Sequence, residues 1–244
     1  MDPTALPMSD EAAPSQAASG AAASGAAGPE VAGQPAPATG TTTGAGFAVV
    51  DVETTGFSPQ RDRVVEVAVV LVDGSGAVET EFATLLDPAR DPGPTHVHGI
   101  TEAMVTGAPT YAAVHPYLAH LFSGRVVVGH NIVRFDLPFL AAEAARAGAT
   151  VPVADLVTID TLQVARDHLG LYGRATLPDC CDRYGLTWGD HHSALGDCMV
   201  TVELLAAVRD EVGDAALGVA EALGAARRSA WPGAVGAPVA VRRR

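Results

Sequence analysis

The sequence predicts an α/β fold: a mixed sheet in which a three-strand antiparallel meander is followed by parallel strands, with helices flanking it. Three observations carry this. Apolar runs at 47–52, 63–73 and 78–87 follow one another across short turn signals. From about residue 110 the pattern changes to alternating helical periodicity and short buried strands. Near residue 45 the texture shifts abruptly, which separates this patterned region from an N-terminal segment almost devoid of large apolar side chains.

The elements follow in order. "FAVVDV" and "RVVEVAVVLVD" are rich in valine and end at Gly-, Pro- or Asp-bearing stretches, as strands do. "VETEFATLLD" follows the turn "DGSG", so the first three strands form a meander. "DPGPTHVHGIT" reads as a loop by its prolines and glycines. Helix at 110–122, strand "RVVVG" at 125–129 and helix at about 136–147 then make a βαβ-like alternation. A short strand near 155–159 leads to helices near 160–169 and 176–184. The last strong helix spans about 193–211, with Leu195, Met199, Val202, Leu205 and Val208 at helical spacing.

Residues 45–212 therefore form one domain. Residues 1–44, an Ala/Gly/Pro/Ser/Thr segment, cannot bury enough apolar surface to offset ordering entropy and are expected to be disordered. Residues 213–244 are expected to give one short helix and a fraying, arginine-ending tail.

Composition narrows the function classes. No stretch of about 18 apolar residues is present and the N-terminus carries acids where a signal peptide carries basic residues. A soluble, cytoplasmic protein with no membrane partner is expected. Cys180, Cys181 and Cys198 fit neither a disulfide framework nor a zinc pattern. The 15 basic residues, all arginine, face 28 acids, for a net charge of −13. That balance argues against a broad electrostatic grip on nucleic acid. A nucleic-acid role would need metal ions at the phosphate.

Asp51 and Glu53 stand out because they interrupt an apolar strand and, two residues apart, point to the same face. An unpaired carboxylate in a dry interior costs up to roughly tens of kcal/mol, so a cation is the simplest complement, and hard divalent ions take oxygen ligands. Two side chains under-coordinate such an ion. Further carboxylates come from "VVVGHNIVRFDLPFL", with Asp136 at a helix start, where a cap would be the ordinary role, and from "DHHSALGDCMVTVELL", with Asp197 inside an apolar helix. His192 lies five residues before Asp197, about 140° around a helix axis. It therefore belongs to the loop ahead of the helix, with Ser193 as N-cap.

The motifs Asp51-Val52-Glu53, Asn131 through Phe135-Asp136, and His192 through Asp197, in this order, resemble the DEDDh (DnaQ-like) 3'-5' exonuclease family, which includes the epsilon proofreading subunit of bacterial DNA polymerase III. The segments "DVETTGFSP", "HVHGIT", "TIDTLQVAR" and "LPDCCDRYGLTW" resemble family segments too, so the likeness covers about residues 46–211. Asn131 and Asp136 are one residue further apart than in the epsilon subunits. His191 adjoins His192, and the choice between them rests on the spacing to Asp197.

The resemblance implies an RNase H-like fold. It also implies that Asp51, Glu53, Asp136 and Asp197 ligate two divalent ions, Mg²⁺ or Mn²⁺, with His192 as general base; imidazole ordinarily titrates near neutral pH. Two ions can clamp a phosphodiester, one activating water and the other neutralising the leaving 3'-oxygen. Thr54, Thr55, Gly56, His98, Asn131 and Phe135 are implied to line the terminal nucleotide, although Phe135 could equally belong to the core and His98 to its loop. Glu66 and Asp160 are expected to serve structural hydrogen bonds and a helix cap. The implied substrate is a nucleic acid with a free 3' end, single-stranded DNA ahead of RNA. The implied assembly is a DNA polymerase or repair complex. An RNA exonuclease or oligoribonuclease is a second reading. A catalytically inactive RNase H-like binding module is a third, but it predicts loss of one of the five motif residues, and all five are present.

Overall fold

The computed structural model describes residues 46–173, 175–188 and 192–228, together with Trp231 and Arg242. The segment expected to be disordered, residues 1–44, lies outside the described residues, as does His191. Five strands form one sheet in the order β3-β2-β1-β4-β5. They are β1 (Gly46–Thr54), β2 (Val64–Asp73), β3 (Val78–Leu85), β4 (Val126–Gly129) and β5 (Thr158–Asp160). β1, β2 and β3 pair antiparallel, whereas β4 joins β1, and β5 joins β4, in parallel. The mixed α/β sheet expected from the sequence is what the chain adopts.

The helices are α1 (Thr95–His98), α2 (Glu102–Val105), α3 (Tyr111–Phe122), α4 (Asp136–Arg146), α5 (Thr161–Leu169), α6 (Leu177–Tyr184), α7 (Ala194–Val212) and α8 (Val219–Ala226). α1 corrects the loop expected at 91–101, and α2 follows it in a stretch to which no element was assigned. Each has four residues, too few for periodicity to reveal, and Gly99 ends α1 in a left-handed conformation.

Alternation along β1 distributes the core. Ala48, Val50 and Val52 join Val114, Leu118, Phe122, Leu137 and Leu140 of α3 and α4. Phe47 and Val49 face the opposite layer, with Cys198, Val202 and Leu205 of α7 and Val219 of α8. Each fully buried large side chain contributes about 1.5–3 kcal/mol. α7 also packs Val200, Leu204 and Val208 against α5 and α6, so it is apolar on two faces. Asp51 and Glu53 share the parity of Phe47 and Val49. They therefore emerge on the α7 side of the sheet.

A buried ion pair fixes the segment after β1. Glu143 of α4 accepts from Arg63 Nε at 2.6 Å and Nη2 at 3.0 Å, from Arg146 Nη1 at 3.1 Å and from Val64 N at 3.3 Å. Its side chain is 1% exposed. A surface ion pair is worth about 0–1 kcal/mol; here Arg63 is 27% exposed but the carboxylate it serves is buried, so removing the arginine leaves a buried charge short of a partner and costs more than that.

Beyond residue 228, Trp231 and Arg242 are the described residues. Trp231 is 3% exposed, 4.7 Å from Phe122 between ring centroids. Arg242 offers its carbonyl to Leu85 N at 2.7 Å, and its N–H donates to Thr84 Oγ1 at 3.0 Å, on the edge strand β3. Among the described residues, no helix is long and apolar enough to cross a membrane.

Candidate active site

β1 and α7 bring three carboxylates together. Asp51, Glu53 and Asp197 each offer an oxygen within 4.8 Å of the others. Their convergence follows from local structure. Asp51 lies opposite Ala68 and Glu53 opposite Glu66, and the register slips between Glu53 and Thr54, a bulge at the strand end beside the cluster. Across from them, Glu66 accepts a hydrogen bond from Ala194 N at 3.1 Å, at the first residue of α7. A buried carboxylate at a helix N-terminus meets both the unpaired N–H groups and the positive end of the dipole. Glu66, 4% exposed, thus docks the start of α7 onto the sheet and sets where Asp197 emerges. That is the structural hydrogen bonding expected of it.

Asp136 is the fourth carboxylate, and it is not the N-cap of α4, which is Phe135. Its Oδ1 instead accepts from Val52 N at 3.1 Å, the residue between Asp51 and Glu53. It is 2% exposed. Burial pushes its carboxyl up to about 8, against its two backbone hydrogen bonds, with the charges of Asp160 and Asp197 adding to the rise. Asp51 is pushed well above the carboxylate range, first by burial and then by the charges of Asp136, Asp197, Glu53 and Glu66. A site in which every neighbour has the same sign is complementary to a cation.

α7 opens with Ser193 as N-cap, its hydroxyl accepting from Gly196 N at 3.1 Å. His192 precedes it, exposed, at φ 59°. A non-glycine residue in the left-handed region is uncommon, and such conformations concentrate at functional sites. Trp188, which sequence reading did not single out, donates its indole N–H to Asp197 Oδ1 at 2.6 Å. Its ring also meets His192 edge-on, with centroids 5.8 Å apart.

Most of the residues implied to line a nucleotide are engaged within their own segments. Thr54 and Thr55 use their hydroxyls within their own loop: Thr54 Oγ1 donates to Gly56 O at 2.7 Å, and Thr55 Oγ1 accepts from Arg63 N at 3.1 Å. An added Cβ at Gly56 would lie 2.6 Å from the Asp62 carboxylate, which would have to shift from its bond with Ser58 N at 2.9 Å. His98 is 2% exposed, with Nδ1 accepting from Ile100 N at 3.0 Å, so its ring organises the α1–α2 loop. Phe135 is half-buried and packs on Phe139 at 5.1 Å between centroids, which bears out a core contribution. Asn131 adopts φ 65°, and Asp160 holds this turn, accepting from Asn131 N at 2.9 Å and Val133 N at 3.3 Å. Asp160 also caps α5 through Leu162 N at 3.1 Å, as expected. One acid therefore ties β5 to the turn that delivers Asp136.

A family model described as an exonuclease, of the RNase T type, matches residues 48–205. The chain is 37% identical over 164 residues to a DNA polymerase III subunit epsilon-like protein of Rhodobacter capsulatus, covering 64% of this chain and 23% of that one. It is 31% identical over 162 residues to the DNA polymerase III subunit epsilon of Treponema pallidum, covering 65% and 74%. The 3'-5' exonuclease DinG of Bacillus subtilis is 30% identical over 159 residues, with 64% of this chain and 16% of that one covered. The matched region thus spans about a quarter of the Rhodobacter relative and less of DinG. Among solved structures, Escherichia coli exonuclease I in complex with a dT13 oligonucleotide superposes with a TM-score of 0.63 at 21% identity, covering 69% of this chain and 42% of that one. That likeness is one of fold.

Proposed function

Because the chain belongs to the DnaQ-like family of 3'-5' exonucleases, we propose that it shortens single-stranded DNA from the 3' end, one nucleoside 5'-monophosphate at a time. The observation that carries this is the convergence of Asp51, Glu53 and Asp197 within 4.8 Å, with Asp136 alongside and His192 at the exposed start of α7. The donor set fits two Mg²⁺ or Mn²⁺ ions: it consists of carboxylate oxygens, which hard cations prefer, and its members carry like charge that a cation relieves. When bound, the ions supply a Lewis acid at the scissile phosphate and a counter-charge for the departing 3'-oxygen.

The protein's own groups do the rest. Asp51, Glu53, Asp136 and Asp197 hold the ions, each fixed by strand register, helix packing or a hydrogen bond to the backbone. His192, on the solvent side, takes the proton from the attacking water. The loop of Thr54, Thr55 and Gly56, closed by its own hydroxyls and tied down through Arg63 to Glu143, is shaped to receive the terminal nucleotide beside Asn131 and Phe135. With a net charge of −13 the surface offers little general attraction for a polyanion. Binding is therefore concentrated at the metal-bearing end of the site. Relatives named as DNA polymerase III subunits favour DNA over RNA, and a DNA polymerase or repair complex as the protein partner.

The test is a time course on 5'-labelled single-stranded DNA and on RNA of the same sequence. With Mg²⁺ or Mn²⁺, a ladder shortening from the 3' end is expected, faster on DNA, and EDTA is expected to stop it. Faster shortening of RNA would transfer the substrate reading to RNA. No ladder on either strand would overturn the activity.

A further inference from the structure

Asp51 and Glu53 project from a paired strand, Asp136 accepts from Val52 N–H, and Asp197 projects from the first turn of α7, where its own N–H bonds Ser193 O at 2.9 Å. A carboxylate on a helix can rotate about two side-chain torsions, so its orientation toward an ion needs a further restraint. Trp188 supplies one. Its indole N–H, a donor with no acceptor capacity, meets Asp197 Oδ1 at 2.6 Å. A hydrogen bond whose acceptor is an ionised carboxylate is stronger than one between neutral groups.

We infer that Trp188 is a positioning residue for Asp197, its indole N–H fixing the carboxylate in the orientation that receives a divalent cation. The inference rests on the metal-dependent reading of the site. Two consequences follow from the geometry. Before an ion arrives, the N–H dipole offsets part of the repulsion on Asp197 from Asp51 and Glu53. Once the ion arrives, one carboxylate oxygen stays committed to the indole and the other keeps a single orientation. Partners of this kind around metal ligands are worth about 10- to 100-fold in affinity. The same ring lies edge-on to His192, so the variant of choice keeps an aromatic ring there while lacking the N–H, and metal affinity rather than turnover is the quantity read.

The substitution that does this is Trp188→Phe, which keeps an aromatic ring and deletes the donor. Free Mn²⁺ measured by electron paramagnetic resonance is expected to show at least about 10-fold weaker binding than wild type, with the metal-free protein still melting cooperatively, at a temperature lowered by the loss of ring packing and of the N–H that eases the repulsion on Asp197. Equal Mn²⁺ affinity in the two proteins would overturn the inference while leaving the metal site standing. A wild type that binds no Mn²⁺ would overturn the metal reading and this inference with it. A second measurement needs no variant. The chain has two tryptophans, and Trp231 lies in the opposite layer of the core. One of two indole N–H resonances in the wild type is expected to shift saturably with Mg²⁺ and the other to stay. If both stay while Mg²⁺ binds, the inference fails.

Discussion

Asp51→Asn is expected to lower turnover by roughly 10³-fold or more, the loss that several kcal/mol of metal-centred charge stabilisation represents, while making the metal-free protein more stable at neutral and alkaline pH. The two effects have one cause. Asp51 is penalised in the fold by burial and by the charges of Asp136, Asp197, Glu53 and Glu66. An ion converts that penalty into ligation, and asparagine removes the charge without changing the shape. The sign of the pH dependence follows by linkage. A carboxyl whose folded pKa is raised binds a proton more tightly when folded than when unfolded. Its stabilising contribution is complete below the ordinary carboxylate range and is lost as pH rises through the folded value. For Asp136, pushed up to about 8, that loss runs to about pH 8. Wild-type metal-free protein is therefore expected to lose melting temperature between about pH 4 and 8, to regain it with Mg²⁺, and to show less loss as Asp51→Asn. Thermal melts across that range check it, at about 2–4 °C per kcal/mol. Equal melting curves for the two proteins at pH 8 without metal would contradict the account.

His192→Ala is expected to reduce turnover by about 10²- to 10⁴-fold, the usual contribution of a positioned base, with Mn²⁺ affinity nearly retained. His192 is exposed just ahead of α7, with a left-handed backbone at φ 59° and its ring edge-on to Trp188. The effect should fall on kcat, because the imidazole acts on the water rather than on substrate binding. His191→Ala, in the same assay, is expected to do little. Equal losses from both would remove the assignment of a single base to His192.

Much of this site was legible in the sequence, because its signals are local. Asp51 and Glu53 are two residues apart in an apolar strand, so parity alone put them on one face. Asp197 interrupts an apolar helix, and its separation from His192 placed the histidine ahead of that helix, where Ser193 does cap it. The meander and the later parallel strands were legible for the same reason. What escaped depends on contacts between distant segments. Glu66 reaches the start of α7 across 128 residues, and Asp160 steadies the Asn131 turn across 29. The Trp188 bond to Asp197 spans only nine residues, yet it depends on the path of the connecting loop, which no periodicity encodes. The hydroxyls of Thr54 and Thr55 bond inside their own loop, and the four-residue helices α1 and α2 are shorter than any pattern can resolve. Trp231 escaped because a lone aromatic in a Gly- and Pro-rich tail carries no period, although its burial against Phe122 anchors that residue to the core.

The central claim is that this acidic cluster is a divalent-metal centre for a 3'-terminal phosphodiester. The most direct measurement is an anomalous difference map from crystals soaked with Mn²⁺ and a deoxynucleoside 5'-monophosphate. The account predicts two manganese peaks among Asp51, Glu53, Asp136 and Asp197, with the phosphate of the nucleotide between them and His192. A cluster without manganese, or manganese held elsewhere while the nucleotide binds, would contradict it.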